Sequence, residues 1–182
     1  MELVDKLGYD VSEAQAIVLG FLLDIPPDQM SSGEIVVDRA VFLSVLRDNG
    51  IDSLSKLKAK IKNGPGNVFW LAFYEYGFKM SRESTTHKYI DLEGAIGLLP
   101  LVYEMASSGE YPQYTKFVAY LTHLKEAADK APDKKAPHVS EDTWSQLPKF
   151  LSQFKDDKFA SYDPMEPWPV QIDEMVEWVQ ES

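Results

Sequence analysis

The chain has 182 residues, 45% of them hydrophobic, with 29 acidic and 18 basic side chains and a net charge of −11. This length supports one well-buried core rather than two large domains. The acidic balance argues against nucleic acid as a partner, because phosphate binding relies on Lys and Arg, and it favours a basic protein surface.

The chain contains no cysteine, which excludes disulfides, thiolate zinc sites and thioester-forming nucleophiles, and with them a RING or HECT-type ligase. The histidines His87, His123 and His138 stand in dissimilar contexts, so we expect neither a metal nor a cofactor. No apolar run approaches the ~20 residues of a membrane-spanning helix, and the first residues do not read as a signal peptide. We therefore expect a soluble intracellular protein without membrane contact.

The first third of the chain predicts a degenerate EF-hand. Ser12 and Gln15 form a capping box that opens an apolar helix, which ends before the two prolines at residues 26–27. Residues 34–37 predict one short β-bridge strand, and Asp38 is placed to cap the following helix. Calcium binding is not expected, because the D-x-D-x-D-G loop is missing.

Further helices follow along the rest of the chain. Asp52 and Ser53 restart the chain into an amphipathic helix predicted at residues 54–61, and the aromatic-rich run at residues 69–78 predicts a helix packed in the core. Asp91 is placed to cap the next helix, which Pro100 kinks or closes, and residues 114–128 repeat the helical pattern.

The last two helices carry acidic residues at their starts. Ser140 caps a helix whose pattern Pro148 interrupts, and Pro169 suits the first turn of the final helix. The pattern as a whole predicts an all-α fold. We expect a single helical domain with a degenerate EF-hand-like N-terminal half, residues 1–62, and a C-terminal helical half, residues 63–182.

No enzyme chemistry is indicated. The sequence has no G-x-S-x-G elbow, no Walker loop and no dinucleotide fingerprint. Paired carboxylates do serve as acid and base in some enzymes, but with 29 acids in a helical domain two neighbouring carboxylates are expected without any function.

Two clusters pair an acid with a tryptophan: Asp142 precedes Trp144, and Asp173 follows Trp168. Each acid falls near a helix start, where a carboxylate interacts favourably with the helix dipole by about 0.3–1 kcal/mol. Taken together, the two clusters are also consistent with a joint acidic surface for a basic partner.

Four runs in order carry a family resemblance: GIDSLSKLKAKI at residues 50–61, IDLEGAI at 90–96, SEDTW at 140–144 and YDPMEPWPVQIDEMVEW at 162–178. They resemble the PONY domain of the defective-in-cullin-neddylation family. The resemblance implies a helical scaffold, not an enzyme, that acts as a co-ligase and promotes attachment of a ubiquitin-like modifier to cullins.

The resemblance also implies a cullin-binding site on residues 63–182. In the family an acidic patch of Asp, Ala and Asp receives the basic C-terminal winged-helix region of the cullin. Its two aspartates correspond to Asp142 and Asp173, while the family's alanine is Pro167 here. This departure keeps both charges but changes the shape and removes a backbone N–H.

A second implied site is an apolar pocket for the acetylated N-terminal methionine of the neddylation conjugating enzyme, since acetylation removes an ammonium charge whose burial is costly. These side chains would also serve as ordinary core. The expected lining is Ala16, Leu19, Gly20, Leu23, Ile35, Val37 and Phe78.

The family's remaining expectations concern context. Partners would be the cullin, the conjugating enzyme and the cullin RING ligase complex, in the cytoplasm and nucleus. The chain starts inside the EF-hand-like region, so no UBA domain and no ubiquitin binding are expected. The alternative is an EF-hand-derived module that binds some other amphipathic or acetylated peptide without neddylation activity.

Overall fold

The structure is a computed structural model that describes residues 8, 14–32, 36–106, 111–131 and 137–182. Nine helices and two short strands are found in these ranges, which confirms the predicted all-α class. In chain order they are α1 (Ala14–Leu22), α2 (Pro27–Ser32), α3 (Arg39–Asp48), α4 (Leu54–Lys62), α5 (Trp70–Ser81), β1 (Tyr89–Asp91), α6 (Leu92–Tyr103), α7 (Tyr114–Asp129), β2 (His138–Ser140), α8 (Glu141–Gln153) and α9 (Val170–Glu181).

The described residues fall into two compact units. The first contains the described parts of Met1–Met80 and Glu104–Ser107, and the second those of Ser81–Tyr103 and Ser108–Ser182. The prediction of one domain divided at residue 62 is not tested by this division and stays a prediction. None of the helices in the described ranges is long and apolar enough to cross a membrane.

In the first unit, α1 packs against α4. The core residues Ile17, Ile61 and Phe73 are almost completely buried. Phe21 of α1 lies edge to face against Phe73 and Tyr76 of α5, with both ring centroids at 5.7 Å. Aromatic pairs in this geometry add to the stabilisation from apolar burial, so the aromatic-rich helix forms much of the core as predicted.

In the second unit, α6 packs against α7, and both α7 and α8 pack against α9. The largest buried side chains at the centre of this unit belong to Phe117, Trp144 and Phe150. Strands β1 and β2 are antiparallel, with Ile90 opposite Val139, and both of these residues are buried. Each strand leads directly into a helix, so the sheet joins the starts of α6 and α8.

A short strand was predicted at residues 34–37. The structure describes Val36 and Val37 of this stretch, and neither residue is in a strand. The first two residues of the stretch and Ser12 of the predicted capping box lie outside the described residues. The two prolines expected to interrupt helices, Pro100 and Pro148, instead lie inside the continuous helices α6 and α8.

Candidate functional site

Asp142 lies exposed in the first turn of α8. The helix begins there because the Ser140 hydroxyl oxygen accepts a hydrogen bond from the Thr143 N–H at 3.0 Å, as its capping role predicted. The N–H of Glu141 donates to the carbonyl oxygen of Lys88 at 2.9 Å. The start of α8 is therefore attached to the segment that enters β1.

The Asp142 carboxylate is held at the helix surface. Its Oδ1 accepts a hydrogen bond from Gln146 Nε2, one turn later, at 2.9 Å. Within the described ranges, no group of three or more His, Asp or Glu side chains is arranged to hold a metal ion. A cleft of about 390 Å³ opens beside this carboxylate and is lined by Lys88, Ser140, Glu141, Asp142 and Ser145.

Asp173 lies half-buried in the first turn of α9, which starts after Pro169. The Tyr162 hydroxyl donates a short hydrogen bond to Asp173 Oδ1. Burial, and then this bond to a carboxylate, raise the pKa of Tyr162. Both effects favour the neutral phenol, so Tyr162 stays a hydrogen-bond donor and fixes the orientation of the carboxylate.

An aromatic cluster holds the segment between α8 and α9 in place. Its members are Phe150, Phe154, Phe159, Tyr162 and Trp168. The Trp168 and Tyr162 rings both lie edge to face against the Phe150 ring, with ring centroids 5.3 Å and 6.1 Å from that of Phe150. Lys149 Nζ lies 5.4 Å from the centre of the Trp168 ring. The cluster therefore anchors on α8 the segment that carries both Tyr162 and Pro167.

Pro167 is exposed at the tip of a tight turn. The Trp168 N–H donates to the Glu166 carbonyl oxygen at 2.9 Å, and the Trp168 indole Nε1 donates to the Glu166 carboxylate at the same distance. Neither bond uses the nitrogen of Pro167. The N–H that proline lacks is thus not needed to close this turn.

Helix α9 is joined to the strand that leads into α8. The two helices pack together, and Gln171 Nε2 in the first turn of α9 donates to the carbonyl oxygen of His138 at 3.3 Å. Asp142 and Asp173 thus lie on neighbouring helices, each in the first turn of its own helix. That the two aspartates form one binding surface stays a prediction.

The residues predicted to line the acetyl-peptide pocket are mostly core. Gly20 is buried, and the side chains of Ala16, Leu19, Leu23 and Phe78 are only 2–3% exposed. Val37 is half-buried, and Ile35 lies outside the described residues.

The space beside Gly20 is occupied in this structure. A Cβ atom at Gly20 would lie 2.8 Å from the Tyr76 hydroxyl oxygen and 2.9 Å from the Met30 sulfur. The same Tyr76 hydroxyl donates to the Ile25 carbonyl oxygen at 2.9 Å. The pocket stays a prediction, and these two side chains fill the space next to its expected lining.

Sequence reasoning missed part of what positions the two aspartates. Nothing in the sequence showed that the Tyr162 phenol would bond to Asp173 eleven residues later. The link from Gln171 to His138 was also missed, because it joins segments far apart in the chain. The tryptophan near each aspartate, and the position of each aspartate near a helix start, could be recognised in advance.

Comparison with known proteins identifies the family. A family model described as cullin binding matches residues 51–178, which is more than half of the chain. Defective in cullin neddylation protein 1 of Eremothecium gossypii is 25% identical over 186 aligned positions, covering 97% of this chain and 66% of that protein. DCN1-like protein 2 of Dictyostelium discoideum is 31% identical over 109 positions, covering 60% of this chain and 35% of that protein. The chain thus spans about two thirds of the first relative, and it belongs to the cullin-binding, defective-in-cullin-neddylation family.

Proposed function

We propose that this protein is a non-catalytic scaffold in cullin neddylation, which binds a cullin and the neddylation conjugating enzyme together. The observation that carries the proposal is the match to the cullin-binding family model over a range that contains both Asp142 and Asp173. Holding two reactants together accelerates transfer by raising their effective concentration and restricting their orientation. The scaffold itself then donates and accepts no proton.

The proposed cullin contact is the surface at the starts of α8 and α9. Asp142, Asp173 and Pro167 would face the basic C-terminal winged-helix region of the cullin. Support comes from the packing of α8 against α9, the exposure of Asp142 and Pro167, and the bond that orients Asp173. Charges of this kind mainly steer the encounter and set its register.

The proposed contact for the conjugating enzyme is the pocket around Gly20 and its neighbours, which would receive an acetylated N-terminus. Because Met30 and Tyr76 occupy the space beside Gly20, entry of a methionine requires these side chains to move. The proposal extends to action on cullin RING ligase complexes in the cytoplasm and nucleus.

The proposal is tested by reconstituted cullin neddylation at limiting conjugating enzyme. Addition of this protein should accelerate transfer of the modifier. A conjugating-enzyme peptide should also bind more tightly with an acetylated than with a free N-terminus, because the acetyl group removes a charge. Peptide binding without acceleration would support a peptide-binding module and contradict the scaffold.

The cullin contact is tested by charge reversal. The double variant Asp142→Arg/Asp173→Arg should abolish cullin pull-down, because two charges that attract the basic region of the cullin become repulsive. Asp142→Asn and Asp173→Asn each remove one charge without reversing it. In Asp173→Asn the amide oxygen can still accept the Tyr162 hydrogen bond, so a loss of cullin binding would report the loss of charge. Glu126→Arg, an exposed acid on α7, is the matched control and should bind normally. Unchanged cullin binding by the double variant would overturn the assignment.

A further inference from the structure

Helix α3 is unusual because none of its ten residues is buried. Its sequence is amphipathic, and a surface helix normally buries its apolar stripe against the core. Here Val41 and Leu43 are each 43% exposed, and Phe42, Val45 and Leu46 are only half-buried. The apolar face of α3 is therefore incompletely covered by the described residues.

This face forms one side of a groove of about 520 Å³ whose other side is the start of α4. The floor is closed by the buried residues Ile51 and Leu57, while Leu43 and Leu54 remain 43% and 46% exposed at the rims. The apolar lining consists of Phe42, Leu43 and Leu46 from α3, Ile51 from the connection, and Leu54 and Leu57 from α4.

The stretch that forms both sides of the groove is basic on an otherwise acidic protein. Residues 39–62 contain six basic and two acidic side chains, a net charge of +4, whereas the whole chain carries −11. One of the two acids, Asp52, is already paired with Lys56 at 2.7 Å. Arg47 lies in the groove lining, and no carboxylate in the described part of the chain forms an ion pair with it.

We propose that this groove binds an amphipathic helix of a partner protein whose apolar stripe is flanked by Asp or Glu. Two helices that meet at a buried floor leave a channel suited to a third helix, whose side chains at i, i+3 and i+7 fill it. Acidic flanks are chosen by charge, because Arg47 lines the groove and residues 39–62, which form both of its sides, carry a net charge of +4. The groove shares no residue with the pocket predicted for the acetylated N-terminus or with the surface at Asp142, so the proposal stands independently of the proposed function.

The test uses a displayed library of 15-residue helical peptides with a fixed Leu/Ile stripe and random Glu or Lys at the flanking positions. Selection on the full chain should enrich Glu at the flanks. The enriched peptide is then titrated against Arg47→Glu and against the double variant Leu43→Ser/Leu54→Ser. We expect a loss of about threefold for the charge change and of more than about tenfold for the two apolar changes. Leu71→Ser, a comparably exposed leucine of α5, is the matched control and should bind normally.

Several outcomes would overturn the proposal. Enrichment of Lys at the flanking positions, or failure to enrich any peptide, would show that the groove does not bind an acidic helix. NMR shifts outside residues 42–57 on titration would locate binding elsewhere. Concentration-dependent self-association that the double variant abolishes would assign the groove to a second copy of this chain. If the double variant fails to fold, Arg47→Glu and the flank charges of the selected peptides still decide the question.

Discussion

At the scale of single residues, Tyr162 links the aromatic cluster to the acidic surface. Its ring packs on Phe150 and Phe154, and its hydroxyl bonds to Asp173. A free aspartate at a helix surface samples several rotamers, and ordering it on binding costs entropy. A carboxylate that is already held by a phenol avoids part of this cost.

Tyr162→Phe is therefore expected to weaken cullin binding while keeping the fold. The ring still packs, but Asp173 is no longer oriented before binding, and ordering it then costs about 0.5–1.5 kcal/mol, a loss of roughly two- to tenfold in affinity. The measurement is a cullin titration alongside thermal unfolding. Tyr120→Phe is the control, because it removes a phenol bond to Glu174 on the same helix α9. An equal loss in both variants would attribute the effect to general destabilisation of α9.

At the scale of elements, the helix caps decide where the acidic side chains lie. The Ser140 cap fixes the first turn of α8 and thus the position of Asp142, and the backbone bond from Glu141 to Lys88 attaches this turn to β1. The corresponding cap of α4 is Ser53, whose hydroxyl oxygen accepts from Lys56 N–H at 3.3 Å. The two caps are chemically alike, but only one of them leads into the proposed cullin contact.

Ser140→Ala and Ser53→Ala should each lower the free energy of unfolding by about 1 kcal/mol, the usual value of a serine cap. Only Ser140→Ala should also weaken cullin binding, since fraying of the first turn moves Asp142. Chemical denaturation and cullin titration of both variants provide the comparison. Normal cullin binding by Ser140→Ala would show that the first turn of α8 does not need its cap to present Asp142.

The caps also show which features of the fold the sequence could predict. Three predicted capping residues are confirmed by hydrogen bonds from backbone N–H groups of the first helical turn, because a cap depends only on neighbours in sequence: Asp38, Asp91 and Ser140. Strands β1 and β2 were missed, because three residues give no alternating pattern and their partners lie far away in the chain. Pro100 does not close its helix and Pro148 lies within a continuous one, because burial of the apolar faces of α6 and α8 outweighs one lost backbone bond.

At the scale of the whole molecule, two predictions that rest on long runs of residues are confirmed. The all-α class followed from helical periodicity along most of the chain, and the family followed from four runs in the correct order. The open α3 groove could not be predicted, because the amphipathic pattern of α3 indicated a helix packed by its apolar face. The composition of a helix does not show whether the rest of the chain covers it.

The net charge of −11 leads to a prediction about ionic strength. Raising salt from about 0.05 to about 0.5 M should weaken cullin binding, mainly by slowing association, because the screening length falls well below about 10 Å. Binding of the acetylated conjugating-enzyme peptide should change much less, because its buried end carries no charge. Stopped-flow association rates at several salt concentrations test both expectations. A cullin association rate that is independent of salt would contradict an acidic contact.

The pairing of β1 with β2 also has a consequence for the order of folding. Asp91 pairs with His138, so the intervening chain must close a long loop before the start of α8 reaches its place. Contacts between residues so distant in sequence form late and slow the folding of a domain. Asp173 comes later still, on the last helix. A ribosome-bound chain that has emerged only as far as α7 therefore lacks both Asp142 and Asp173, and with them the proposed cullin contact.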